Sequence, residues 1–225
     1  MAMFGTHLGA AVVGGTVLAN AGYAAHIWRA SEMLPVIALV IIGGLLPDID
    51  AKKSHSVKLI FSVLGLMAMV AMSFSLREDM ALLPALLASI GAYVAVRHGF
   101  FHAFNAITVH RGNAHSLVAL LFSSTATTVL THSLTGASIL SWSYGFALLA
   151  GGLIHLVLDE IYSVDLAGAR LKKSFGSALK FMDKNSPVPG LAMLLASLVM
   201  LPAMPPLRDG VTILAAFVDA FSRIG

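Results

Sequence analysis

Cysteine is absent from this 225-residue chain, which excludes a disulfide framework and any thiolate metal site. Charge is nearly as scarce. Only 11% of the residues are Asp, Glu, Lys or Arg, against 58% hydrophobic, whereas soluble domains carry roughly a quarter charged residues. With a mean hydropathy of +0.87, the chain reads as an all-α, polytopic helical membrane bundle, one domain over residues 1–225. The formal charge of +3 is small, and the basic residues are spread over several loops, so they suit membrane topology and not nucleic acid. No basic stretch precedes the first apolar run, so a cleaved signal peptide is not expected. Internal repeats, low-complexity tracts and linkers are also lacking.

What the chain has is a succession of apolar segments. A span needs roughly 20 mostly apolar residues, which places spans at about 8–28, 33–47, 57–76, 80–97, 116–134, 137–160 and 188–206. That makes six or seven transmembrane helices. An amphipathic stretch from Val211 to Ile224 suits the interface. Small residues in the first span (Gly9, Ala10, Ala11, Gly14, Gly15) and Gly151-Gly152 in the sixth predict close helix packing.

Topology can be read from the basic residues. With the N-terminus in the cytoplasm, cytoplasmic loops collect Lys52, Lys53, Lys58, Arg97, Arg111, Arg170, Lys172, Lys173, Lys180 and Lys184. The opposite side receives Arg29, Arg77, Arg208 and Arg223. Ten against four is the bias of the positive-inside rule.

Four short polar patches interrupt the apolar chain: Thr6-His7, Pro47-Asp48-Ile49-Asp50, His110-Arg111-Gly112-Asn113-Ala114-His115, and His155-Leu156-Val157-Leu158-Asp159. Ionisable groups at bilayer depth are costly and usually mark function. On the topology above, all four reach one membrane face, predicted to be cytoplasmic, where they would assemble a single metal site.

His155 and Asp159 are four apart on an expected helix, hence on one face and able to share an ion. A lone helical His is more often a hydrogen-bonded core residue. Glu160 points about 100° away, as a supporting group behind the ligands or a solvated end charge. Two carboxylates as close as Asp48 and Asp50 repel unless a cation or proton lies between them. A capping turn beside the solvated Lys52 and Lys53 is the plainer reading. Ser54 and His55 could add a hydrogen bond or a ligand. Arg111, between His110 and His115, suits a bidentate grip on phosphate or carboxylate, or is simply a topogenic loop arginine. Thr6 could cap the first helix. His98 and His102, interleaved with Phe100, Phe101 and Phe104, read as an amphipathic interfacial helix outside the site. His26 and His132 fall near the opposite face.

In this order Thr6-His7, Leu45-Leu46-Pro47-Asp48-Ile49-Asp50, His110-Arg111-Gly112-x-x-His115-Ser116 and His155-x-x-x-Asp159 resemble the YdjM-like family of inner-membrane metal-dependent hydrolases. The resemblance runs from residue 7 to about residue 181. It implies a multi-pass protein of a bacterial inner membrane with a divalent metal site of the kind compared with zinc phospholipase C. Two positions depart from the family pattern: Ala51 stands where a His is common, and Ala114 where Thr often precedes the second loop His. The first departure bears on the number of ions, or lets His55 substitute. The polar segment from Tyr162 to Gly176 is expected to cover the site.

The expected function is a hydrolase with one or two divalent ions, zinc foremost and manganese next. His7, Asp48, Asp50, His110, His115, His155 and Asp159 are the candidate ligands. They exceed the usual four of a single tetrahedral zinc, so two ions with a bridging carboxylate fit. Asp50 is the candidate bridge or general base. Arg111, helped by Lys52 or Lys53, would hold negative charge in the transition state. A site at headgroup depth favours membrane lipids or another amphiphilic, lipid-linked substrate. The alternative is a non-hydrolytic transporter, or a metal-dependent sensor or scaffold, using the same cluster. Its polar steps would come from Ser123, Ser124, Thr125, Thr127, Thr128 and Thr131 along the fifth span.

Overall fold

The computed structural model describes residues 3–50, 55–76, 80–100, 114–165, 170–171 and 179–222. It divides into two compact units, one of Met1–Pro47 with Gly112–Gly225 and the other of Asp48–Arg111.

The first unit holds α1 (Phe4–Ala24), α2 (Ala30–Leu45), α5 (Leu117–Thr135), α6 (Ser138–Ile161), α7 (Pro187–Met200) and α8 (Leu207–Ser222). In α1 the buried residues His7, Ala11, Gly15, Ala19 and Gly22 recur every three or four positions, forming one stripe along the helix. Helix α6 is central and packs on α1, α2, α5 and α8. Its buried face is largely Gly, Ala and Ser, small enough for backbones to approach closely. Gly43 meets the Leu148 carbonyl, and Gly151 meets the Val40 carbonyl, so closely that a Cβ on either would overlap it. Between α5 and α6, Gly145 leaves room for Thr128, and the Ser124 hydroxyl donates to the Gly145 carbonyl at 2.9 Å.

Helix ends follow local chemistry. Ser116 caps α5, its hydroxyl accepting from Ala119 N–H at 3.3 Å. Gly136 ends the same helix at φ +66°, the left-handed conformation in which glycine carries no Cβ penalty. After α6, Val164 pairs with Leu171 and Asp165 with Arg170 as a short antiparallel pair, β1 (Val164–Asp165) and β2 (Arg170–Leu171).

The second unit holds α3 (His55–Leu76) and α4 (Leu82–Val94), the latter continuing as a π turn over Ala95–Phe100. The pair packs through Gly65 against Tyr93 and through a 2.9 Å hydrogen bond from Ser73 to Ser89.

Each of the seven expected apolar segments coincides with a helix. Among the described residues, three stretches are long and apolar enough to cross a membrane: Leu82–Gly99, Leu117–Thr135 and Ser138–Ile161. A fourth arises if Pro187–Ala203 and Leu207–Asp219, bent by 100° at their junction, count as one span. Thr6 does not cap α1. The helix starts two residues earlier, at Phe4, so Thr6 lies inside the first turn and its N–H donates to Met3.

Candidate metal centre

Three helices of the first unit converge at one end of the bundle. Helix α6 brings His155 and Asp159 inward one turn apart, α1 contributes His7 from its first turn, and His115 stands just before the Ser116 cap of α5. Asp159 is the hub. Its Oδ1 lies 3.3 Å from His7 Nε2, and its Oδ2 lies 3.7 Å from His155 Nε2 and 3.9 Å from His115 Nε2. The side chains of His155, His7 and Asp159 are 0%, 2% and 4% exposed, while His115, at 14%, is the group that reaches toward solvent. The His7 and His155 rings stack at 3.7 Å with 9° between their planes, and His115 meets His155 edge-on at 5.3 Å.

A buried imidazole needs its ring nitrogens satisfied or put to use. His155 Nδ1 lies 2.7 Å from the Gly44 carbonyl oxygen. Gly44 is in the last turn of α2, where carbonyls lack intrahelical partners, so the helix end supplies an acceptor. A carbonyl can only accept, hence Nδ1 donates and the neutral ring keeps its lone pair on Nε2, the atom facing Asp159. Metal-ligating histidines are commonly oriented this way by a carbonyl on the far nitrogen. The close approach depends on glycine: a Cβ on Gly44 would stand 2.7 Å from the Ala11 Cβ, and one on Gly151 would press on the Gly44 N–H at 2.8 Å.

The chain just after His115 is tied down from another direction. The first turn of α5 presents its N–H groups, and two are taken by backbone carbonyls from a later loop: Leu117 N–H to Lys180 O at 3.0 Å, and Val118 N–H to Phe181 O at 3.1 Å. Within that loop Asp183 accepts from Asn185 N–H at 3.0 Å and lies 3.4 Å from the Lys180 ammonium. The Asn185 hydrogen bond, seconded by the Lys180 charge, holds the Asp183 carboxyl below the usual carboxylate range.

Of the residues expected at the site, the structure brings together His7, His115, His155 and Asp159. Asp48 is part-buried and opens the second unit, directly after Pro47. Asp50 closes the 3-10 turn Pro47–Asp50, and its side chain, like that of His55, lies outside what is described. Lys52, Lys53, Ser54, His110 and Arg111 lie outside the described residues, as does most of the expected cover over 162–176. Glu160 takes part through its backbone, its carbonyl accepting from the Ser163 N–H and hydroxyl. His26 and His132 lie near the C-terminal ends of α1 and α5, away from the cluster at their N-terminal ends. The Gly44 carbonyl and the 180–181 carbonyls escaped sequence reasoning. Gly43-Gly44 hinted at the first, while the second has no side-chain signature.

The donor set fits a divalent cation. One donor atom each from His115, His155 and Asp159 lies within 4.8 Å of the others. Donors on a tetrahedron with bonds of roughly 2.0–2.2 Å stand about 3.4 Å apart, close to the spacings around Asp159. His7 Nδ1 is buried with no hydrogen-bond partner among the described residues. Imidazole and carboxylate without thiolate suit zinc or manganese.

Described residues that are helical apart from one short antiparallel pair, with apolar helices of membrane-crossing length and buried histidines around an aspartate, define a helical membrane protein with a polar centre. More particularly, the chain belongs to the YdjM inner membrane protein family, whose model matches residues 1–172. All four clustered residues lie inside the matched stretch, while the carbonyls of residues 180–181, α7 and α8 lie beyond it. Searches of curated proteins and of solved structures found no match.

Proposed function

We propose that the chain is a membrane-embedded, metal-dependent hydrolase of a lipid-linked phosphoester or ester. The observation that carries this reading is the buried carboxylate of Asp159, faced by three imidazoles at 3.3–3.9 Å. A buried carboxylate requires a nearby positive charge. A divalent cation among the donors would supply that charge and use the ring nitrogens that face Asp159.

His155, fixed by Gly44, and Asp159 would hold the ion, with His7 and His115 completing the set. Asp48 lies four residues beyond Gly44 along the chain and is a further ligand on this reading, with Asp50 the bridge or general base. A bound divalent ion supplies Lewis acidity and lowers the pKa of a coordinated water toward neutrality. His115, the most exposed of the four, marks the side from which substrate enters. Arg111, with Lys52 or Lys53, would grip the anionic part of the substrate. The seven apolar segments would cross or enter the bilayer with the cluster at its cytoplasmic face, at headgroup depth, which favours an amphiphile.

The test is metal content by mass spectrometry on detergent-purified protein, wild type beside His155→Ala/Asp159→Ala, followed by turnover. Wild type is expected to carry about one or two transition-metal ions that the double variant lacks. Reloaded with Zn²⁺ or Mn²⁺, it should cleave a lipid phosphoester or ester in a His155-dependent way. Retained metal without turnover across a broad lipid panel would favour the transporter, sensor or scaffold. Two folded proteins that both refuse metal would remove the centre of either reading. The hydroxyls of Thr127 and Thr128, candidate polar steps for a transporter, are bonded to backbone carbonyls of their own helix, as in ordinary packing.

A further inference from the structure

The amphipathic stretch expected at the interface takes shape as α8, which the proposed hydrolase site does not use. Pro205 and Pro206 stand before it, and proline has no N–H with which to continue a helix. Leu207–Asp219 accordingly leaves Pro187–Ala203 at 100°. The start of α8 is pinned to α6: the Trp142 indole N–H donates to the Pro206 carbonyl at 3.1 Å, and a Cβ on Gly210 would stand 2.9 Å from the Trp142 ring. From there α8 passes across α6 toward α1, and Phe217 meets Trp28, just beyond α1, edge-on at 5.7 Å.

Three stripes share the circumference of α8. Gly210, Ile213 and Phe217 face the bundle, the first two fully buried. Leu207, Val211, Leu214 and Val218, at helical spacing, are exposed and apolar. Arg208, Thr212, Ala215 and Asp219, one position further round, are exposed and polar but for the alanine.

We infer that α8 lies in the plane of the membrane at the interface opposite the Asp159 cluster, its Leu207–Val218 stripe in the acyl layer and its Arg208–Asp219 stripe in water. The bend supports the orientation. Helix α7 packs on α5, which is long and apolar enough to span, and a helix at 100° to α7 turns away from the direction of crossing. The stripes support the level. A helix crossing the hydrocarbon would hold Arg208, 86% exposed, and Asp219 against lipid, which is costly. One in water would leave four large apolar side chains wet. An interfacial helix satisfies both stripes. Direction follows from a small apolar cavity that Leu214 shares with Leu149 and Leu153, about two and three turns beyond Trp142 toward the cluster. The apolar stripe therefore leans toward the middle of the bundle, and the exposed Leu153 continues it along α6.

This placement sets the depth of the cluster. Asp159 follows Trp142 by 17 residues, about 25 Å of helix against a hydrocarbon core of about 30 Å. With Trp142 at one interface, where tryptophan is favoured, Asp159 falls close to the other.

Spin-label depth measurements on the full chain in phosphatidylethanolamine–phosphatidylglycerol vesicles test this. The chain has no cysteine, so Val211→Cys, Thr212→Cys, Ala215→Cys, Val218→Cys and Leu153→Cys each carry one label, all at exposed positions. Labels at 211 and 218 should collide with oxygen in preference to a water-soluble nickel chelate and read one depth, shallower than the label at 153. Labels at 212 and 215 should prefer the chelate. A depth difference of about 10 Å between 211 and 218, the rise of seven helical residues, would mean that α8 crosses the bilayer and would overturn the proposal. Chelate access at 211 and 218 would overturn it by placing the helix in water, and exclusion of both reagents there would do so by placing a protein partner on the stripe. The metal content of the same variants reports separately on the cluster, so failure here and failure of the hydrolase reading are distinct results.

Discussion

His155 Nδ1 donates to the carbonyl of Gly44 across 2.7 Å, tying a fully buried ring to the C-terminal end of a neighbouring helix and its dipole. The bond fixes the ring's rotation and its tautomer together, and it exists only because α2 and α6 touch backbone to backbone at Gly43, Gly44 and Gly151.

Gly151→Ala should therefore damage both fold and centre. The new Cβ meets the Val40 carbonyl, and overpacking of this kind costs about 1–3 kcal/mol. The unfolding temperature in detergent should fall by several degrees and the metal content should drop. Gly9→Ala, whose Cβ would meet nothing within 4 Å, is the control and should leave both unchanged. Equal behaviour of the two variants would refute the contact argument.

His7 and His155 share Asp159 and stack on each other, so their effects should not add. His7→Ala alone is expected to weaken metal retention by roughly 10–100-fold, the scale of losing a supporting or direct ligand. His7→Ala/His155→Ala should be little worse than His155→Ala. Competition against a chelator, followed by metal analysis, measures this, and strictly additive losses would argue for two separate sites.

Leu117→Pro probes the link between residues 180–181 and His115. Leu117 is the first residue of α5, where proline is tolerated, and Ser116 before it is extended at ψ 154°. The substitution removes one donor to Lys180 and little else. Faster amide exchange at Val118 and weaker metal retention through a looser His115 are the expected outcomes. If exchange rises while metal binding is untouched, the loop does not position His115.

Asp183 gives the loop a pH dependence with a defined sign. Its folded-state pKa is depressed, chiefly by the Asn185 N–H, so its contribution is complete above the unfolded value of about 3.9 and is lost as pH falls through the lower folded value. Asp183→Asn should unfold at a lower temperature than wild type near neutral pH, and the gap should close as pH falls through the lowered folded-state pKa. A gap that persists in acid would assign the effect to something other than the charge.

Much of this architecture was legible in the sequence because it depends on local signals. Apolar length marked the helices, and four-residue spacing put His155 and Asp159 on one face. Small residues in the first and sixth spans marked α1 and α6 as packing faces, though not the part of α2 or its consequence, the delivery of a carbonyl to His155. The stacking of His7 on His155 joins residues 148 positions apart and follows from packing alone. The carbonyls of residues 180 and 181 were invisible for another reason: every residue carries one, so no residue type marks them. Thr6 misled because a capping side chain was assumed where the helix had already begun. The expectations for Asp50, His110 and Arg111 fall on side chains outside the described residues.

The wide sequence separation of the clustered residues also sets a schedule. His7 is made early, and Asp159 follows it by 152 residues. At roughly 5–20 residues per second, translation leaves an interval on the order of 10–30 s in which His7 is in the membrane without its carboxylate. On the metal-site reading, an ion would be captured only once α6 has arrived, so loading would follow insertion of α6 and would not guide the earlier helices to their places.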